Sequence, residues 1–222
     1  MQKPQDKFIY DPPQGELNVI YNDENLIVLS KPAKLLSVPG RAAHLNDSLE
    51  TRVHKQFPTS RIVHRLDMET SGVMVMALNS ETHRNLGLQF ERRKVEKEYT
   101  ARVNGHVSED EGTIDLPLRC DWPNRPLQMV DLSHGKEAIT HWRVLERERS
   151  GVTRVSLKPI TGRSHQLRVH MKEIGHPILG DDFYAPTEIY NMTERMQLHA
   201  HKLTIHNPEN GEKMQFVSDN PF

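Results

Sequence analysis

The 222-residue chain has a single cysteine, Cys120. One thiol excludes an intrachain disulfide and any zinc site built on cysteine pairs. Long apolar runs are also missing. The longest, residues 73–78, falls far short of the ~20 residues that cross a bilayer. The opening MQKPQDKFIYDPP has no apolar stretch of the secretory kind. A soluble, cytoplasmic protein is expected. Net charge is nearly absent: 29 Lys plus Arg stand against 30 Asp plus Glu, a formal −1. A uniformly basic nucleic-acid binder is thereby excluded, and the balanced signs exclude a disordered polyelectrolyte. Neither a Gly-x-Gly-x-x-Gly nor a Walker loop occurs, so nothing indicates a nucleotide cofactor. At 36% hydrophobic residues the core is lean and the surface polar. The length suits one domain, or a domain with a lobe.

What charge there is lies unevenly. Between residues 154 and 172 stand Arg154, Lys158, Arg163, Arg168 and Lys172 with no acid among them. Between 84 and 102 six basic residues face three acids. A neutral molecule of this kind is able to present one basic groove, although a solvated charged face fits the composition equally.

Local patterning gives a coarse fold. Residues 1–16, rich in Pro and polar groups, read as an arm. Apolar runs at 17–21 and 26–30 flank a turn and predict a hairpin. Asp47 or Ser48 caps a helix that Pro58 stops, and Ser80 caps a second helix ending near 92–94. Strands are expected at 71–78, 95–103, 138–145, 152–157, 198–205 and 214–217. Lys97, Tyr99 and Ala101 share one face of the second of these. A helix follows Ser164, with Leu167, Met171 and Ile174 at i, i+4 and i+7. Pro117, Pro123 and Pro126 make 112–136 a long irregular loop. Strands joined by short turns predict an α+β fold, with a mixed, mainly antiparallel central sheet, flanking helices and an active-site cleft.

Two clusters carry reactive side chains. His64-Arg65-Leu66-Asp67-Met68-Glu69-Thr70-Ser71-Gly72 lies between two apolar runs, where a loop on a rigid sheet would place it. An ionised Asp67 is a possible nucleophile toward a sugar or ring carbon. On residue types alone, a turn-capping Asp67 and a surface-paired Arg65 fit better. The second cluster is Thr161-Gly162-Arg163-Ser164-His165-Gln166-Leu167-Arg168-Val169-His170. A turn opening a helix suits an anion, and Arg168 suits a carboxylate. An amphipathic helix with a solvated basic face is the plain alternative. His199 and His201 share a strand face, but no His-Glu-x-x-His accompanies them and the metal signal is weak.

Together the clusters resemble the RluA-type pseudouridine synthase family, over residues 19–206. Ser30-Lys31-Pro32 with Leu35-Leu36-Ser37-Val38-Pro39-Gly40 resembles its first motif. HRLDMETSG at 64–72 resembles the catalytic motif. Lys97-Glu98-Tyr99-Thr100-Ala101-Arg102-Val103 resembles the tyrosine strand, and 157–170 the last motif, followed by Gly175 to Asp181. CDWPNRP at 120–126 and LLSVPGR at 35–41 resemble the short members that modify both 23S ribosomal RNA and transfer RNA.

This resemblance implies a set of roles. Asp67 is the nucleophile, Arg168 its paired arginine, and Tyr99 the residue that stacks on the base and assists at C5. Arg65 helps displace the target base, and His64, Lys158, Gly162 and Arg163 contact the RNA. The partner is structured RNA, 23S rRNA and tRNA stem-loops, and phosphates fall to the two basic stretches. Neither cofactor nor metal is implied. The expected organisation is one catalytic domain over 17–222, monomeric, without the N-terminal S4 domain that many relatives carry.

Overall fold

In the computed structural model of the chain, residues 9–222 are described. Residues 1–8 of the expected arm lie outside them. The remainder of the arm is irregular but tied down. The Tyr10 hydroxyl donates to the Asp47 carbonyl at 2.8 Å and accepts from the Leu36 amide at 3.0 Å. The chain forms two compact units, one of residues 9–97 with 199–221, the other of 98–198 with Phe222.

The first unit begins with the predicted hairpin, β1 (Val19–Asn22) and β2 (Leu26–Lys31), paired antiparallel. Asp23 closes the turn by accepting from the amides of Asn25 and Leu26 at 2.8 Å. Helix α1 (Leu49–Gln56) starts at Ser48, whose hydroxyl and the Thr51 hydroxyl each accept the other residue's amide in a capping box. A two-residue strand, β3 (Arg61–Ile62), leads through the 63–70 loop into β4 (Ser71–Ala77), every residue of which is buried. Helix α2 (Ser80–Glu91) is capped by Asn79, one residue before the Ser80 expected. The Asn79 carboxamide reaches the Thr82 amide at 2.8 Å, so Ser80 takes the first helical position.

Strands β11 (Leu198–His206) and β12 (Lys213–Val217) return to this unit near the C-terminus. Their order with the earlier strands is β1-β2-β4-β11, with β12 on β11 and β3 on β4. β4 and β11 run parallel, and the other pairs run antiparallel. The parallel pair matches His199 to Ser71 and Ala200 to Gly72. Gly72 sits at φ +117°, and a Cβ there would lie 2.2 Å from the Ala200 carbonyl oxygen. Only glycine allows that approach. Leu26, Ile27, Leu29, Met74, Met76 and Leu86 fill the core and are fully buried.

The second unit holds most of β5 (Glu96–Asn104), then β6 (Glu111–Asp115), β7 (Leu118–Cys120), β8 (Gln128–Val130), β9 (Ile139–Arg147) and β10 (Val152–Pro159). β5, β10, β9 and β6 form an antiparallel sheet in that order, and β7 and β8 form a separate two-stranded ribbon. The expected long loop at 112–136 is thus wrong. Its prolines fall between the strands: Pro117 separates β6 from β7, while Pro123 and Pro126 occupy the β7–β8 turn. No ladder donor is lost, and the strands survive. Helix α3 (Gln166–Glu173) and the short α4 (Thr187–Tyr190) complete the unit. α3 packs Leu167 and Met171 against Ala101, Val103, Val155, Leu157 and Ile178. These findings bear out an α+β fold whose sheet is mixed and mostly antiparallel.

Candidate active site

In the first unit, the 63–70 loop is held by the last residue of β2 and by the segment that follows it. The Ser37 hydroxyl donates to the Leu66 carbonyl at 2.7 Å and accepts the Leu66 amide at 3.1 Å. Lys31, fully buried, sends its ammonium to the carbonyls of Pro32 (2.9 Å), Leu35 (2.6 Å) and Met68 (3.0 Å). A buried cation is tolerated only when surrounded by acceptors in this way. Asp67 therefore stands between two anchored carbonyls, Leu66 and Met68. The Thr70 amide donates to the Asp67 carbonyl at 3.1 Å and closes the turn. The Asp67 residue is half-buried and Arg65 exposed. Among the described residues Arg65 makes no ion pair.

His64 is a structural member of this loop. Its Nε2 accepts the Val75 amide at 3.1 Å, which places the proton on Nδ1. Its ring stacks on Phe90 at 4.6 Å. Desolvation and the Lys97 charge push its pKa down to about 3, so it is neutral in use. The loop ends at Ser71, whose hydroxyl donates to Nδ1 of His199 (2.8 Å). Nε2 of that ring donates to the Ser218 carbonyl (3.2 Å). The pair His199 and His201 thus serves strand ties: His201 also bonds the Ser218 carbonyl, at 2.9 Å. Among the described residues no three His, Cys, Asp or Glu side chains are grouped to hold a metal.

In the second unit, Tyr99 lies on β5 opposite Leu157 of β10 and packs against the apolar core. The last motif opens with a turn locked by Gln166. Its carboxamide oxygen accepts from the Thr161 hydroxyl (2.8 Å) and the Arg163 amide (3.0 Å), while its nitrogen donates to the Ile139 carbonyl (3.0 Å). His165 enters α3 in the left-handed region at φ 53°. That turn puts Arg168 in the first helical turn, pointing inward and 2% exposed.

Arg168 grips carboxylates of its own unit. Nε donates to Asp181 Oδ2 at 2.8 Å and Nη2 to Asp181 Oδ1 at 2.6 Å, a bidentate pair. Nη2 also reaches Asp182 Oδ1 at 2.8 Å. None of these three bonds uses Nη1. The guanidinium lies 4.9 Å from the Phe183 ring and 5.2 Å from that of Tyr184. Asp181 Oδ1 further accepts the amides of Phe183 (2.9 Å) and Tyr184 (3.0 Å). Burial raises the Asp182 pKa, helped by the Asp181 charge and opposed by Arg168. Sequence reasoning assigned no role to Asp181 to Tyr184, or to Lys31 and Ser37. Arg168 lies beside the stripe of Leu167, Met171 and Ile174 and not on it, so the spacing gave no signal for Asp181; burial of the arginine is what calls for the carboxylate.

The basic stretch at 154–172 is not a free cationic face. Arg154 pairs with Glu146 at 3.2 Å and Glu148 at 3.7 Å, Lys158 with Glu98 at 3.5 Å, and Lys172 with Glu173 at 2.6 Å. Arg163 Nε donates to the Glu137 carbonyl at 2.9 Å, and Gly162 lies exposed in the turn. The absence of acids within the segment concealed acids brought beside it by strand register. By contrast Arg84, Arg92 and Lys94 are exposed and, among the described residues, without ion pairs.

One unit thus carries a carboxylate on a clamped loop, and the other a buried arginine after a glycine turn. The chain belongs to the RNA pseudouridylate synthase family, whose sequence pattern matches residues 25–173. Its nearer likeness is to the RluA type. A Yersinia pestis protein named dual-specificity RNA pseudouridine synthase RluA is 55% identical over 204 residues, covering 92% of this chain and 99% of the relative. The Escherichia coli K12 protein of that name is 51% identical, over 96% of this chain and 98% of its own. The solved structure of human RNA pseudouridylate synthase domain containing 1 has a TM-score of 0.80 at 32% identity, covering 96% of this chain and 87% of that one. Among the described residues no helix is long and apolar enough to cross a membrane.

Proposed function

We propose that this isomerase converts uridine to pseudouridine in stem-loops of both 23S rRNA and tRNA, with Asp67 as nucleophile. The observation that carries the reading is the HRLDMETSG loop, with Asp67 between two carbonyls that Lys31 and Ser37 hold in place. The dual substrate class follows the relatives' name. The uridine leaves the stack, at a few kcal/mol, less where it already sits in a loop. The Asp67 carboxylate attacks the nucleoside or its ribose, and the C1′–N1 bond breaks. The freed uracil turns, C5 bonds to C1′ as the bond to the Asp67 carboxylate breaks and frees Asp67, and the C5 proton departs while N1 gains one. Atoms and charge balance without an oxidant or a transferred group.

Arg168 acts as the partner that aims Asp67. Tyr99 stacks on the base, recovering ~1–3 kcal/mol, and assists proton removal at C5. Arg65 helps displace the target base from its stack, and Lys158, Gly162 and Arg163 contribute RNA contacts at the last motif. His64 supports the loop through its bond to Val75. Residues 17–222 work as one catalytic domain, as a monomer, in the cytoplasm, and the roles assigned require no metal or cofactor.

Tritium release from C5-labelled uridine in a tRNA stem-loop tests the central assignment. Asp67→Asn should fold with an unchanged melting temperature and release no tritium above background. Substantial turnover by this variant would end the nucleophile role. RNA binding without release by the unmodified chain would make it a binding module instead.

A further inference from the structure

The turn between β7 and β8 plays no part in the chemistry above, yet it presents an aromatic side chain to solvent. Trp122 is 63% exposed. Among the described residues its indole N–H meets no acceptor, and Arg125 has no ion pair. The Arg125 guanidinium lies over the indole, 4.5 Å from the ring centre.

The turn is braced. The Asp121 amide donates to the Leu127 carbonyl (2.9 Å), the Asn124 amide to Asp121 (3.0 Å) and the Leu127 amide to Asn124 (3.1 Å). The Asn124 carboxamide donates to the Asp121 carboxylate at 2.9 Å. Pro123 and Pro126 restrict the backbone further. The ribbon is also rooted. The Gln128 amide donates to the Tyr184 hydroxyl (2.9 Å), which bonds His165 Nδ1 (2.7 Å) and whose ring flanks Arg168 at 5.2 Å. A rigid turn thus carries an indole, a cation and free N–H donors on an arm anchored beside Arg168.

We infer that Trp122 and Arg125 form a stacking platform for an unpaired nucleobase of the substrate RNA, a base other than the target uridine. The inference rests on the reading of the chain as an RNA-modifying enzyme. An indole face takes any base, because every base has a π-face. Arg125 covers the other face as a cation–π partner and offers donors to the adjoining phosphate. A partner surface of ordinary apolar character would leave the guanidinium desolvated without a counter-charge; a nucleotide supplies both the ring and the anion.

The chain has two tryptophans, so a Trp142→Phe background leaves Trp122 as the reporter. Adding a tRNA anticodon stem-loop to that protein should quench its emission. Trp122→Ala should raise the dissociation constant for the stem-loop by about 5- to 150-fold and leave the single-turnover rate at saturating RNA unchanged. Trp122→Phe should recover most of the affinity. Arg125→Ala should flatten the dependence of log K on log salt by about 0.7–0.9. Wild-type affinity in Trp122→Ala, unquenched emission with RNA bound, or a loss of rate with affinity intact would each overturn the platform. Tritium release scores the synthase reading separately. Quenching and weakened Trp122→Ala binding without any release would uphold the platform and defeat that reading.

Discussion

Removing Asp181 should cost more than removing any other single acid of the second unit. The Arg168 side chain is 3% exposed and that of Asp181 1%. Asp181→Ala deletes the bidentate pair and the acceptor of two amides, and leaves a buried guanidinium without its main counter-charge. Breaking a buried ion pair from one side typically costs ~3–5 kcal/mol. The Asp182 side chain is 27% exposed and opposes only part of the Arg168 charge, which places the loss near the lower end, ~3 kcal/mol. For a chain of this length each kcal/mol moves the melting temperature by about 2–4 °C, so the transition should fall by about 6–12 °C. Asp181→Asn should lose less. Its oxygen replaces Oδ1 toward Arg168 Nη2 and the two amides, but its NH2 meets the Nε–H donor to donor. Scanning calorimetry of the three proteins at pH 7 reads the effect directly. A fall of under 2 °C for Asp181→Ala would refute the argument that this pair anchors the unit.

Three further outcomes follow from the structure. Gly72→Ala puts a methyl group 2.2 Å from the Ala200 carbonyl at φ +117°, so it should separate β4 from β11 and destabilise by several kcal/mol; urea melts check this. Folding depresses the His64 pKa from 6.5 to about 3, so the unfolded chain binds the extra proton: the stability it contributes is full above pH 6.5 and is lost as pH falls from 6.5 toward 3. His64→Gln keeps an acceptor for Val75 and should show a shallower loss between pH 7 and 4.5 in urea melts; an unchanged slope would contradict it. Neutralising Arg84, Arg92 and Lys94 together should flatten the salt dependence of RNA binding by about 2–3 in log–log slope, whereas Arg154→Gln with Lys172→Gln, whose charges are already matched, should leave it nearly unchanged.

Much of this was legible before any coordinates. β4 announced itself as an uninterrupted apolar run because it is buried throughout, and α1 through the Ser48 cap and the Pro58 stop. The ribbon of β7 and β8 was missed because its strands are three residues each and its flanks hold the prolines that normally signal a loop. The basic stretch at 154–172 misled for a different reason. Linear charge counting sees neighbours along the chain, while Glu146 and Glu148 reach Arg154 across the β9–β10 register.

The order and spacing of the motifs, with Asp67 and Arg168 in their places, were determined by the sequence alone, since local chemistry and periodicity are written along the chain. Which cations remain free, what grips Arg168, and how Lys31 and Ser37 hold the loop carrying Asp67 were decided only in three dimensions. Electrostatic pairing and desolvation depend on distance through space, and strand register brings together residues that lie far apart in sequence.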